Sequence, residues 1–252
     1  MNTRPLGTAL RSMRQALAFF TVLPAPAAGT WTERDLQRAL VALPFAGLVI
    51  GLLLLAAQAL LEPLAREVRG ACLTVLWLVL TGALHFDGLC DTADAVFAAT
   101  SRDERLRIAK DPRLGSYALA TGGGILLVKL AALSQPVAGV WLVVVPVLAR
   151  SAVLPIAALH PNHAASRLGA AARPPIAGGV SAAAAGVIAA LAAAALGGTL
   201  RAALLATGAA LLLTFGMGRL VARRLGGLGG DAYGAIIETL EAALLILAAI
   251  GR

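Results

Sequence analysis

Seven long apolar segments occupy most of the chain and constrain its fold more than any other feature. Each segment has 18 to 24 residues, and a helix of about 20 residues crosses the hydrocarbon core of a bilayer. The segments cover residues 40–61, 71–94, 116–134, 137–159, 176–197, 201–218 and 232–251. Only 13% of the 252 residues are charged, against about 25% in soluble domains. The sequence therefore predicts an all-α, polytopic integral membrane helix bundle with about seven transmembrane helices, forming one domain over residues 1–252.

The distribution of basic residues predicts how the bundle is oriented. With the N-terminus on the cytoplasmic side, 15 of the 21 Lys and Arg residues lie in cytoplasmic segments and four lie on the opposite side of the membrane. The other two, Lys129 and Arg150, lie within the spans. This bias follows the positive-inside rule and accounts for the net charge of +8 without a nucleic-acid partner. We expect a multi-pass protein of the cell inner membrane with a charged cytoplasmic loop over residues 95–115. The amphipathic segment 1–38 either lies on the anionic membrane surface or caps the first span.

Three aspartates at the end of the second apolar segment share one helical face. At 100° per residue, Asp91 lies about 40° from Asp87, and Asp94 lies about 20° from Asp87 on the other side. Three like charges on one stripe repel each other and resist dehydration, and a bound cation would remove this conflict. On the last segment, Glu238 lies about 20° from Asp231 and forms a second stripe. Carboxylates on two facing helices suit Mg²⁺. The carboxylates of the two stripes therefore form a candidate metal site.

A basic loop and a glycine-rich turn supply the groups that a phosphate site needs. Five basic residues lie between positions 102 and 113, and they include Lys110 and Arg113. Arg binds phosphate oxygens bidentately, and Lys supplies a compact charge. Gly115 follows the loop, and Gly230 ends a glycine run before the last helix, where free N–H groups can face an anion. The simpler explanations are a topology signal for the loop and a flexible turn for the glycines.

Three further ionisable residues lie within apolar segments. His85 lies about 160° from Asp87 on a continuous helix, so it does not share the aspartate stripe. It either contacts the substrate or the acids around the metal, or it is packed and hydrogen-bonded. Lys129 and Arg150 are costly inside a membrane, so we expect both to face the interior of the bundle or a partner group.

The residues over 82–94 match the pattern Gly-Gly/Ala-Leu-His-x-Asp-Gly-Leu-x-Asp-Thr-x-Asp, and residues 110–115 match Lys-Asp-x-x-x-Gly. This sequence resembles the cobalamin synthase family, the adenosylcobinamide-GDP ribazoletransferases. The likeness also covers residues 20–24 near the start and residues 224–241 near the end. The departures are Ala95 and Ala118, where the family usually has Gly, and Gly229, where it usually has Thr.

The resemblance implies a Mg²⁺-dependent transferase that joins the lower nucleotide loop of cobalamin. A hydroxyl of α-ribazole, or of its 5′-phosphate, attacks the β-phosphorus of adenosylcobinamide-GDP, and GMP leaves. The implied metal ligands are Asp87, Asp91, Asp94, Asp231 and Glu238. The implied phosphate-binding residues are Lys110, Arg113, Gly115 and Gly230, and the implied catalytic residues are Asp94 or Asp111 as the base, with His85. The expected partners are the two small-molecule substrates, the lipid bilayer and other cobalamin-assembly enzymes at the membrane.

Two other classes of protein use similar residues. CDP-alcohol phosphotransferases displace a nucleoside monophosphate with helical aspartates, but their motif has Gly after the second Asp and Arg further on. Here Asp94 is followed by residues 95–99, which contain neither Gly nor Arg. A cation-coupled permease would place ionisable groups near the bilayer midplane, often in repeated halves. The chain has no internal repeat, and only Lys129 and Arg150 favour a permease.

Overall fold

The protein is helical throughout the part of the chain that the computed structural model describes, which is residues 5–25, 31–137, 139–160 and 173–250. All elements of regular secondary structure in these residues are α-helices, so the all-α prediction is confirmed. In chain order, the helices are α1 (Pro5–Phe20), α2 (Glu33–Val41), α3 (Leu43–Leu60), α4 (Arg66–Leu80), α5 (Leu84–Phe97), α6 (Arg102–Ile108), α7 (Ser116–Leu133), α8 (Val140–Leu159), α9 (Ile176–Leu196), α10 (Leu200–Leu225) and α11 (Gly230–Ile250).

Six of these helices are long and apolar enough to cross a membrane, namely α3 and the five helices from α7 to α11. They correspond to six of the seven predicted segments. The seventh candidate is α4 together with α5, but these two helices are bent by 88° relative to each other. The prediction of one continuous helix over residues 71–94 is therefore wrong, whereas the multi-pass helical bundle with six to seven spans is confirmed.

The break between α4 and α5 is fixed by its own backbone and by the segment that follows α1. Gly82 and Ala83 both have left-handed φ angles, of 57° and 55°. This conformation costs a residue with a side chain such as Ala83 about 1–2 kcal/mol, so neighbouring contacts must stabilise it. The backbone N–H of Val22 donates to the carbonyl of Leu80 at 3.0 Å, at the end of α4. Residues 20–24 thus dock on the bend that sets the direction of α5 and its three aspartates.

Helix α8 lies at the centre of the bundle. Of its span, 89% is buried, and it packs against α3, α9, α10 and α11. Glycines allow the closest of these approaches, because a Cβ on Gly51 would stand 2.7 Å from the carbonyl oxygen of Leu142. Small residues at helix contacts are the usual means of close packing in lipid. The buried α8 separates the α3–α9 side of the bundle from the side that carries the aspartates.

Helix α1 packs on α2 and α3 through one apolar face. Ala16 and Phe20 are buried in this contact, whereas Leu10 on its outer side is 60% exposed. Asp35 links α1 to α2, since its carboxylate forms an ion pair with Arg11 of α1 at 3.8 Å and completes the capping box of α2. The amphipathic character of this segment is thus visible in its packing, while its location at a membrane surface stays a prediction. Residues 1–4 and 26–30 of the segment lie outside the described residues.

Candidate active site

Helices α5 and α11 approach each other closely at a glycine on each helix. A Cβ on Gly88 of α5 would stand 2.8 Å from the Cα and carbonyl oxygen of Asp231. One turn away, a Cβ on Gly234 of α11 would stand 3.0 Å from the carbonyl oxygen of His85. Because Gly88 follows Asp87 directly, this contact brings acids from two helices to one place.

The aspartates of α5 and α11 form a single electrostatic cluster. Asp91 interacts electrostatically with Asp87, Asp94 and Asp231. Asp87 and Asp231 are exposed, and Asp91 and Asp94 are partly buried, so the cluster opens at the surface of the protein. Asp231 lies in the first turn of α11, where the helix dipole favours a negative charge. Gly230 begins the same helix, is exposed, and has open space where a Cβ would be.

Asp94 holds the start of α7 against α5. Its carboxylate accepts hydrogen bonds from the backbone N–H groups of Gly115 at 2.7 Å and Ala118 at 2.9 Å. These N–H groups belong to the unpaired donors of the first turn of α7, so Asp94 caps that helix from a distance of 21 residues in sequence. A side chain on Gly115 would collide with the Asp94 carboxylate. The N–H of Gly115, predicted to contact phosphate, is therefore bound to Asp94 in this structure.

The basic loop divides into structural and exposed residues. The guanidinium of Arg102 donates to the carbonyl of Leu225 at 3.0 Å and covers the C-terminus of α10. Arg105 is buried, and it donates to the carbonyls of Val96 at 2.5 Å and Thr100 at 3.0 Å. These two arginines attach the loop to the ends of α10 and α5. The phosphate-binding capacity of the loop is therefore left to its more exposed residues.

Lys110 and Arg113 are both exposed, but they differ in their partners. Arg113 forms an ion pair of 2.6 Å with Asp111, and its backbone N–H donates to the same carboxylate. The hydrogen bonds from Arg113 lower the pKa of Asp111 to about 2, so this carboxylate is ionised at neutral pH and is a weak base. Among the described residues, Lys110 has no ion-pair partner. Lys110 is thus the basic group of the loop that is most available to an anion.

Glu238 belongs to a buried ion network. The Nζ of Lys129 lies 2.5 Å from Glu238 and 2.6 Å from Glu241, and Arg150 lies 2.6 Å from the other oxygen of Glu241. All four side chains are at most 4% exposed. Two cations face two anions, so the expectation that Lys129 and Arg150 face the interior is confirmed. The structure does not place Glu238 with the aspartates. The acids expected to form one stripe on the last helix lie in two places, with Asp231 exposed at the surface and Glu238 and Glu241 buried in the core.

His85 is packed between α1 and this ion network. Its ring is 3% exposed and stacks on Phe20 with ring centroids 6.0 Å apart. Within the described part of the chain, neither ring nitrogen has a hydrogen-bond partner. His85 therefore lies behind the aspartate cluster rather than in it, as its angle to Asp87 predicts.

The donors in the cluster can be compared with what Mg²⁺ requires. Among the described residues, no group of three or more His, Cys, Asp or Glu side chains is arranged so that it could hold a metal ion by itself. Mg²⁺ commonly uses only one or two protein carboxylates and completes its shell with water and substrate phosphates. Asp87, Asp91 and Asp231 offer carboxylate oxygens at an open surface, which is the donor chemistry that such a shared site uses.

Comparisons with known proteins agree over nearly the whole chain. The family model described as cobalamin-5-phosphate synthase matches residues 12–249. A relative from Pseudomonas entomophila (strain L48) is 39% identical over 235 residues, which cover 92% of this chain and 95% of that protein. One from Pseudomonas syringae pv. syringae (strain B728a) is 36% identical over 239 residues, covering 93% of this chain and 97% of that protein. Both relatives are named adenosylcobinamide-GDP ribazoletransferase. No solved structure matches the chain significantly.

Proposed function

The chain belongs to the cobalamin-5-phosphate synthase family, and on that premise we propose that it is an adenosylcobinamide-GDP ribazoletransferase, a multi-pass membrane enzyme of cobalamin biosynthesis. In this reaction a ribazole hydroxyl oxygen bonds to the β-phosphorus of adenosylcobinamide-GDP. The bond from that phosphorus to the GMP oxygen breaks, and the hydroxyl proton passes to a base. Free α-ribazole and its 5′-phosphate both supply such a hydroxyl.

The observation that best supports this chemistry is the contact between Gly88 and Asp231. It joins acids from α5 and α11 in one cluster that opens at the protein surface. A diphosphate esterified at both ends carries two negative charges, so carboxylates without a cation repel it. Asp87, Asp91 and Asp231 are therefore proposed to hold Mg²⁺, which would neutralise the diphosphate and the charge that develops on the leaving phosphate.

The other proposed roles follow from position and charge. Lys110 is the exposed loop cation without an ion pair among the described residues, and we assign it to the guanosine-bearing phosphates, with Arg113 beside it. Of the two predicted bases, Asp94 is preferred over Asp111. Asp94 lies on α5 within the aspartate cluster, whereas Arg113 lowers the pKa of Asp111 to about 2. Glu238 is no longer assigned to the metal, because its carboxylate binds Lys129.

We further propose that the protein lies in the cell inner membrane and that its site opens on the cytoplasmic side. The support is the excess of basic residues in the segments on that side, which include the loop next to the aspartates. Other cobalamin-assembly enzymes at the membrane stay predicted partners. The permease alternative rested on Lys129 and Arg150, and their pairing with Glu238 and Glu241 gives both cations a role inside the bundle.

The test is GMP release from adenosylcobinamide-GDP and α-ribazole by the purified protein in liposomes. Mg²⁺ should give GMP and an equal amount of cobalamin product, EDTA should stop both, and added Mg²⁺ should restore them. The 5′-phosphate of α-ribazole is assayed in parallel as the second acceptor. Folded protein that releases no GMP with either acceptor would refute the proposal. Potential-driven uptake without any nucleotide substrate would favour the permease instead.

A further inference from the structure

Two aromatic side chains lie together on the surface where α5 ends and α7 begins. Phe97 is 53% exposed and Tyr117 is 47% exposed, and their ring centroids are 5.9 Å apart with the planes tilted by 40°. Only 4% of the residues in this chain are Phe, Trp or Tyr. An exposed pair of rings at one place is therefore unusual for this sequence and needs an explanation.

The pair lies directly beside the aspartate cluster. Phe97 follows Asp94 by three residues on α5, so the two side chains are neighbours on one helix face. Tyr117 lies between Gly115 and Ala118, and the backbone N–H groups of both these residues donate to the Asp94 carboxylate. The hydrogen bonds of Asp94 thus fix the two rings relative to each other and to the acids.

We propose that Phe97 and Tyr117 form a stacking surface for the flat aromatic base of a substrate. This inference rests on the proposed function, in which both substrates carry such a base: guanine in adenosylcobinamide-GDP and the ribazole base in the acceptor. An exposed aromatic face binds any flat base, because each base has a π-face. A base bound here would lie beside the acids at which the reaction is proposed to occur, so the rings would orient the substrate without taking part in the chemistry.

The experiment compares the KM values of both substrates in four variants. Tyr117→Leu and Phe97→Leu remove a ring but keep an apolar side chain, and Tyr117→Phe keeps the ring. Phe215→Leu is the matched control, since Phe215 is 45% exposed on α10 and lies ten residues before the end of that helix. Loss of one stacking contact should raise KM about 5- to 100-fold, with little change in kcat. Phe215→Leu should retain the wild-type KM, and the KM of Tyr117→Phe should be closer to the wild-type value than that of Tyr117→Leu.

The substrate whose KM changes identifies the base. A higher KM for adenosylcobinamide-GDP alone assigns the surface to guanine, and a higher KM for α-ribazole alone assigns it to the ribazole base. Unchanged KM values for both substrates in an active protein would overturn this inference and leave the proposed function intact. Reduced membrane insertion with unchanged KM would also overturn it, because the rings would then be interfacial anchors. A wild-type protein without turnover would refute the proposed function itself.

Discussion

Substitution of Gly88 by Ala tests the contact on which the site depends. The new Cβ would stand 2.8 Å from the backbone of Asp231, and ordinary van der Waals contact begins at 3.4 Å. Helices α5 and α11 must therefore separate by at least about 0.6 Å, since the atoms that obstruct the methyl group belong to the backbone. Overpacking of this kind costs about 1–3 kcal/mol of stability. A displacement of about 1 Å in a catalytic arrangement can cost about 100-fold in rate.

We expect Gly88→Ala to insert into membranes and to release GMP about 10- to 100-fold more slowly than the wild type. Gly234→Ala should have a smaller effect, because its Cβ would stand 3.0 Å from the carbonyl of His85. Gly123→Ala is the control, since nothing lies within 4 Å of its added Cβ on α7. It should keep full activity and gain up to about 1 kcal/mol from the better helix propensity of Ala. Wild-type turnover by Gly88→Ala, with an unchanged melting temperature, would refute the reasoning.

Three other predictions follow from the contacts around the site. Asp94→Ala should lower the unfolding free energy by about 0.5–2 kcal/mol through loss of the α7 cap, measured by thermal unfolding in detergent, and should also reduce turnover. Lys129→Met should cost about 3–5 kcal/mol in the same assay, because Glu238 is left buried without its cation; stability equal to the wild type would contradict the ion network. Asp111 has a pKa lowered to about 2 from 3.8, so its contribution to stability is complete above about pH 4 and is lost as the pH falls through 2. In the Arg113→Gln variant, carboxyl NMR should show the pKa of Asp111 raised from about 2 toward 3.8 but still below it, because the backbone N–H of residue 113 continues to donate to this carboxylate. A pKa still near 2 would show that the Arg113 side chain is not the main cause.

The sequence predicts the membrane bundle well, because length and hydropathy alone decide which segments can cross a bilayer. The bend before α5 is different. Residues 71–84 form one apolar run without a charged residue, and Ala83 has a high helix propensity. At this bend the backbone N–H of Val22, about 60 positions away in the chain, donates to the carbonyl of Leu80. Periodicity within one segment contains no information about such a contact.

The carboxylates of the last helix show a second limit of sequence patterns. The spacing of Asp231 and Glu238 predicts that both lie on one face of the last helix, and both do belong to the single helix α11. Their environments differ because only the packing of α7 and α8 brings Lys129 and Arg150 to Glu238 and Glu241. Two basic residues in apolar segments, Lys129 and Arg150, did indicate that partners were needed. The sequence could not say which acids would be buried with them and which would lie at the surface.

The shared helix face of the three aspartates could be predicted, because α5 contains all three and preserves their spacing. The break in the longer helix predicted over residues 71–94 lies before them. The role of Asp94 as the cap of α7 could not be predicted, since it requires the start of α7 to lie against α5. Gly115 offered the one signal: it is a glycine at the N-cap of a helix, where a residue with a capping side chain is more usual. That absence is explained by a cap that comes from another helix.

The central claim is that acids from α5 and α11 act together on one Mg²⁺-bound diphosphate. The most direct measurement is the Mg²⁺ concentration that gives half-maximal GMP release for Asp91→Asn, Asp231→Asn and the exposed-acid control Asp103→Asn. We predict that both site variants need much more Mg²⁺ or lose turnover, and that the control matches the wild type. The double variant should lose no more turnover than the poorer single variant, because the two acids act as one unit. A normal Mg²⁺ requirement and normal turnover in Asp231→Asn would contradict the claim.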